Sequence, residues 1–159
     1  MRKVLMIVAY VLMFLVANVL VSVFGPAVTP INALFLIAGD MVLRDRIQYE
    51  SGIAWSISAC IIAGLATMAV APGSEMIALA SALSVILAGS ASAFAFRLKS
   101  GGFFSKAMPA NIAAAAVDSV AFPLIAFGSV MPWVTIAQFA AKTIGATVIL
   151  IFIKRYCKR

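Results

Sequence analysis

An aspartate stands in the middle of NIAAAAVDSVAFPLIAFG, residues 111–128, a stretch otherwise suited to hydrocarbon. Asp118 is one of only five acidic residues in the chain. Lys142 stands inside a second apolar stretch that follows. A carboxylate and an ammonium can hold each other, or they can hold a polar solute by charge-assisted hydrogen bonds. Neither belongs in lipid alone, because an unpaired charge there costs at least ~2.5–3.5 kcal/mol on insertion scales. Asn111 lies two helical turns before Asp118, and Gln138 one turn before Lys142, each on the helical side of its charge. Asn18 and Ser22 repeat the pattern in an earlier segment, and Asn32, Asp40 and Arg44 in the next. The i, i+4 spacing of Asp40 and Arg44 suits an ion pair or a gate near a membrane boundary. Ionisable residues of this kind mark solute or ion paths, and the plainer reading is a pair that only fixes helix packing.

The elements that must position these side chains follow from composition. The chain has 159 residues, 65% hydrophobic and 11% charged, with a mean hydropathy of +1.15. Soluble domains run nearer 45–50% apolar and about 25% charged. The apolar residues also come in long runs, the mark of spanning helices. The expected fold is an all-α integral membrane protein, one domain over residues 1–159, with six transmembrane helices at about 4–24, 30–43, 53–71, 75–96, 109–128 and 133–153. The first run, behind Arg2 and Lys3, also fits a signal peptide, but it is too long for one and no clean cleavage motif follows. The second run is short, covering only about 20 Å, so GPAVTP (residues 25–30) is expected to dip below the membrane surface. Thr29 is its expected helix cap. In the fourth run, Ala80, Ser84, Ala88 and Ser92 recur every four residues, a spacing that lets helix backbones approach closely.

Lys and Arg set the expected orientation. They cluster before the first helix, after the second (Arg44, Arg46), between the fourth and fifth (Arg97, Lys99, Lys106) and after the sixth (Lys154, Arg155, Lys158, Arg159). The three intervening loops hold none. Alternate basic loops place both termini in the cytoplasm, with the chain in the inner membrane. The net charge of +7 is thereby read as a topology signal, and no nucleic-acid partner is expected. Trp55 and Trp133 fall near opposite interfaces, as belt anchors do. Cys60 and Cys157 are too far apart for a metal spacing, and Cys157 stands in a basic tail. With no His, no glycine-rich phosphate loop and no nucleophile elbow, neither an enzyme nor a cofactor is expected.

Several of these stretches resemble one family. VDSVAFPLIAFG is similar to the Asp-Ser/Thr…Phe…Ile-Ala-Phe signature of the VUT family of queuosine precursor transporters. ANVLV, with Asn18, resembles its first-helix Asn, and FLIAGDMVLRD, with Asp40 and Arg44, its Asp-Leu-x-x-Arg element. FAAKTIGA puts Lys142 where that family has a Lys in its last helix. The order and rough spacing hold over most of the chain. The fourth run departs from the family, lacking its Arg and its Gln…Asp pair. The resemblance implies a six-helix carrier that imports 7-cyano-7-deazaguanine or a related deazapurine by alternating access. It carries over to Asn18, Asp40, Arg44, Asp118 and Lys142. Asn111 and Gln138 join the substrate-binding set from helical spacing, where amides complement a flat base edge. A substrate-binding subunit of an energy-coupling-factor type importer, with a coupling partner or a homo-oligomer, is the alternative. A holin-type pore is the third reading.

Overall fold

Long runs of Leu, Val, Ile and Ala satisfy their backbone hydrogen bonds only within a helix when no water is present. The computed structural model describes residues 2–70 and 75–156, and every element there is helical. The proposed stop at Pro72-Gly73, Cys157, Lys158 and Arg159 lie outside the described residues. Helix α1 spans Arg2–Phe24. After a 3-10 turn at Pro26–Val28 comes a long helix in three parts: α2 (Thr29–Asn32), a π-helical segment (Ala33–Ile37) and α3 (Ala38–Ser51). Helices α4 (Ile53–Val70), α5 (Glu75–Leu98), α6 (Phe103–Phe127) and α7 (Pro132–Tyr156) complete the bundle. Gly52 and Gly128 end α3 and α6 with φ of 93° and 71°, angles that cost a residue with a side chain.

The second long helix differs most from its expected form. It does not stop at residue 43 but continues through Arg44 to Ser51. Its full length, at about 1.5 Å per residue, matches a core of about 30 Å. The reason for dipping GPAVTP into the membrane therefore disappears. Thr29 is not the cap: Val28 holds that position without a side-chain cap bond, and Thr29 is buried inside the helix. Helix α6 likewise begins at Phe103, with Pro109 inside it.

Polar residues let the second helix run on because it sits at the centre. Segments of it pack against α1, α4, α6 and α7. Facing protein rather than lipid on several sides, it buries Asp40, Arg44, Asp45 and Gln48 along with Ala38, Met41, Val42 and Ile47. It is absent from the five helices that are apolar and long enough to cross a membrane by composition. Those five expose rows of Leu, Ile, Val and Phe, such as Leu65, Leu87, Phe94, Ile144 and Ile151.

Helices α5 and α6 lie closely side by side. Ala80, Ala88 and Phe96 join Phe122, Ala114 and Phe103, respectively, in three successive apolar clusters along the pair. Arg2, Lys3 and Arg46 lie together at one end of the bundle. Arg2 reaches Glu50 at 3.2 Å, and Arg46 bonds the same carboxylate. Lys3 lies 3.3 Å over the Trp55 ring, and Arg46 lies 5.2 Å over that of Phe103.

Candidate functional site

Between the apolar clusters the bundle holds a cavity bordered by α1, α2, the π segment, α3, α5, α6 and α7. Phe14 and Val85 wall it on one side, Met41, Ala88 and Ala114 on another, and Val21 and Phe122 on a third. Its space is about 50 Å³, counted as the volume open to the centre of a water molecule. At ~10–15 Å³ per water this holds a few waters, and it falls short of the ~150 Å³ that accepts a benzene ring. The form described therefore leaves only solvent-sized space between these residues.

Its polar groups come from elements far apart in sequence. Lys142, 2% exposed, donates to Asp118 Oδ2 at 2.6 Å, to Gln138 Oε1 at 3.0 Å and toward Ser119 Oγ at 3.5 Å. An ammonium has three protons, and three acceptors surround this one. Gln138 reaches it from one turn earlier on α7, as the spacing of the two residues requires. The Gln138 Nε2 group is buried with no partner among the described residues.

Arg44 borders the cavity from α3 and pairs with Asp45, not with Asp40. Its Nε and Nη2 donate to Asp45 Oδ1 at 3.3 and 3.1 Å, and Ser92 on α5 donates to the same oxygen at 2.9 Å. The expected Asp40–Arg44 ion pair is thus replaced, and Arg44 lies inside the bundle rather than in a basic loop. The i, i+4 rule supplied the wrong partner because Asp45 and Ser92 together offer the guanidinium a buried, braced acceptor. Asp40 borders the cavity 3% exposed, with no side-chain hydrogen bond or ion pair among the described residues.

The amides divide. Asn18 borders the cavity, but its Nδ2 donates to the Phe14 carbonyl at 3.0 Å and its Oδ1 accepts from Ser81. Asn32, at the head of the π segment, donates to the Ala17 carbonyl of α1 at 2.8 Å, and its Oδ1 is left without a partner. Asn111 is buried but does not border the cavity, and both its amide atoms lack partners among the described residues. The spacing argument placed it with Asp118 on one helical side; over two turns the α6 surface changes neighbours, and that side no longer faces the same space. Asp45 and Ser81 are the polar residues that spacing did not single out, and Ser92, read from spacing as a packing residue, braces Asp45. A second acidic residue directly after Arg44, in so acid-poor a chain, was the available signal for Asp45.

Asn18, Asp40, Arg44, Asp118, Gln138 and Lys142 therefore share one buried space. The arrangement can take up donors on carboxylates and acceptors on an ammonium or guanidinium, out of water. Buried charges facing a common cavity inside a sheath of lipid-compatible helices define an all-α, multi-pass membrane protein. No family model matches this chain, and no curated protein or solved structure matches it.

Proposed function

We propose that this protein is an importer of a queuosine precursor, 7-cyano-7-deazaguanine or a related deazapurine, working by alternating access in the inner membrane with both termini in the cytoplasm. One observation carries the reading: the Lys142–Asp118 pair borders a cavity that also holds Asp40 and Arg44. A pair that served packing alone would not need to face a cavity shared with two further charges. The five residues behind the resemblance to the VUT family come from α1, α3, α6 and α7, and all border that cavity. A deazaguanine presents amino and ring N–H donors beside a carbonyl acceptor. Asp118 suits the donors, and Gln138 Nε2 suits the carbonyl. Asn18 and Asn111 take less part in this reading than spacing suggested, since the first is committed to backbone and Ser81 and the second stands outside the cavity. A bicyclic base exceeds this space, so binding requires outward movement of the lining helices, which alternating access entails.

The test is rescue. The gene is placed in a bacterium unable to make or import queuosine precursors, 7-cyano-7-deazaguanine is supplied at low concentration, and tRNA queuosine is read by mobility shift. Rescue that is lost in Asp118→Asn supports the reading. Failure of rescue by protein present in the membrane, with rescue restored only alongside a coupling ATPase, selects the energy-coupling-factor alternative.

A further inference from the structure

The buried charges in and beside the cavity do not balance, counting Asp45, which stands behind Arg44 outside the lining. Three carboxylates, Asp40, Asp45 and Asp118, stand against two cations, Arg44 and Lys142. Lys142 is taken by Asp118 at 2.6 Å and Arg44 by Asp45 at 3.1 Å. Asp40 is left over, buried and bordering the cavity. Each charged or titratable side chain around it has been accounted for: Arg44 and Asp45 on its own helix, Asp118 on α6, Lys142 on α7, Tyr10 on α1 and Cys60 on α4. Tyr10 and Cys60 are bonded to each other at 3.3 Å. Helix α5 buries only serines and apolar residues on this side.

An unpaired carboxylate in a low-dielectric site is relieved by taking a cation or by taking a proton. A metal ion is a poor answer here. Hard cations need several oxygen ligands, no group of three acidic or cysteine side chains forms a metal site among the described residues, and two fixed cations stand within electrostatic reach. A proton needs one oxygen and no cage.

We infer that Asp40 is the proton-carrying group of this protein: it takes a proton from cavity water when the bundle opens to one side and returns it to water on the other. The step balances as a carboxylate plus hydronium giving a carboxylic acid plus water, and reverses on release. Asp118, held by Lys142, serves the cargo instead. Coupling of this proton to solute movement rests on the importer reading above; the proton site itself does not.

The decisive measurement is infrared difference spectroscopy of the full-length protein in lipid nanodiscs, alkaline against acidic, without any solute. The expected result is a carboxylic-acid C=O band that grows on acidification, shifts in D₂O, disappears in Asp40→Asn and persists in Asp118→Asn. An unchanged spectrum in Asp40→Asn, or loss of the band only in Asp118→Asn, overturns the inference. If Asp40→Asn does not fold, Asp40→Glu must move the band's position, and an unmoved band overturns the assignment. In proteoliposomes, one proton per cargo sustains about a tenfold accumulation of 7-cyano-7-deazaguanine per unit of pH gradient, a ratio lost in Asp40→Asn. If the unmodified protein shows neither accumulation nor counterflow of that solute, the importer reading falls, and the band alone decides the proton site.

Discussion

Lys142 and Asp118, 24 residues apart on adjacent antiparallel helices, meet at 2.6 Å with the ammonium 2% and the carboxylate side chain 20% exposed. The asymmetry matters. The lysine is sealed among Asp118, Gln138 and Ser119, while the aspartate keeps one side toward the cavity. The pair thus anchors one partner and presents the other.

Removing one partner should cost more than removing both. Lys142→Met strands a carboxylate and is expected to lower stability by about 3–5 kcal/mol, whereas Lys142→Gln combined with Asp118→Asn should recover much of that loss. Thermal unfolding in detergent measures both. Uptake should be absent in all of these variants, since each loses the Lys142–Asp118 pair that faces the cavity. Additive losses in the double variant would show that the two side chains do not depend on each other.

Glycine substitutions should separate close helix contacts from loose ones. A Cβ on Gly145 of α7 would lie 2.6 Å from the Ala38 Cβ and would also press on the Leu34 carbonyl of the π segment. Backbone atoms in two packed helices have little room to yield, so Gly145→Ala should destabilise by ~1–3 kcal/mol. A Cβ on Gly89 meets only Cys60 Sγ, at an ordinary 3.9 Å. Gly89→Ala should raise stability by ~0.5–1 kcal/mol through helix propensity. Melting temperatures that shift in the same direction would contradict the packing described.

Cavity access can be read by thiol chemistry. With Cys60 and Cys157 replaced, Ala114→Cys places a thiol on the cavity wall, where the native side chain is 1% exposed. A small methanethiosulfonate should modify it slowly, because the cavity must first open, and 7-cyano-7-deazaguanine should slow it further. Ile112→Cys, at a position 42% exposed on the outer surface, should be indifferent to that solute. Equal protection at both sites would argue against solute binding in the cavity.

Orientation is tested at the loop tips. Ser100→Cys lies at the basic end between α5 and α6, and Val130→Cys in the turn between α6 and α7. An impermeant maleimide added to intact cells should label Val130→Cys only, with Ser100→Cys labelled after the membrane is opened. The reverse pattern would invert the proposed topology and, with it, the direction in which the basic end faces.

Much of this was legible from the chain itself. Apolar runs of about 20 residues admit one backbone solution in lipid, so five long helices follow from hydropathy and length alone. Asp118 and Lys142 at matching depths on consecutive helices made their pairing the lowest-cost arrangement, and they are paired. Tertiary structure decided what periodicity could not. The second helix runs to Ser51 because neighbours on several sides, not lipid, receive its polar residues. Arg44 chose Asp45 over Asp40 because Ser92, 47 residues from Asp45, braces that carboxylate. Asn111 fell outside the cavity while Asn18, from another helix, came within it. A helix's own spacing tells which residues share a side; only the packing of the other helices tells what that side faces, and in this protein that choice left Asp40 without a partner.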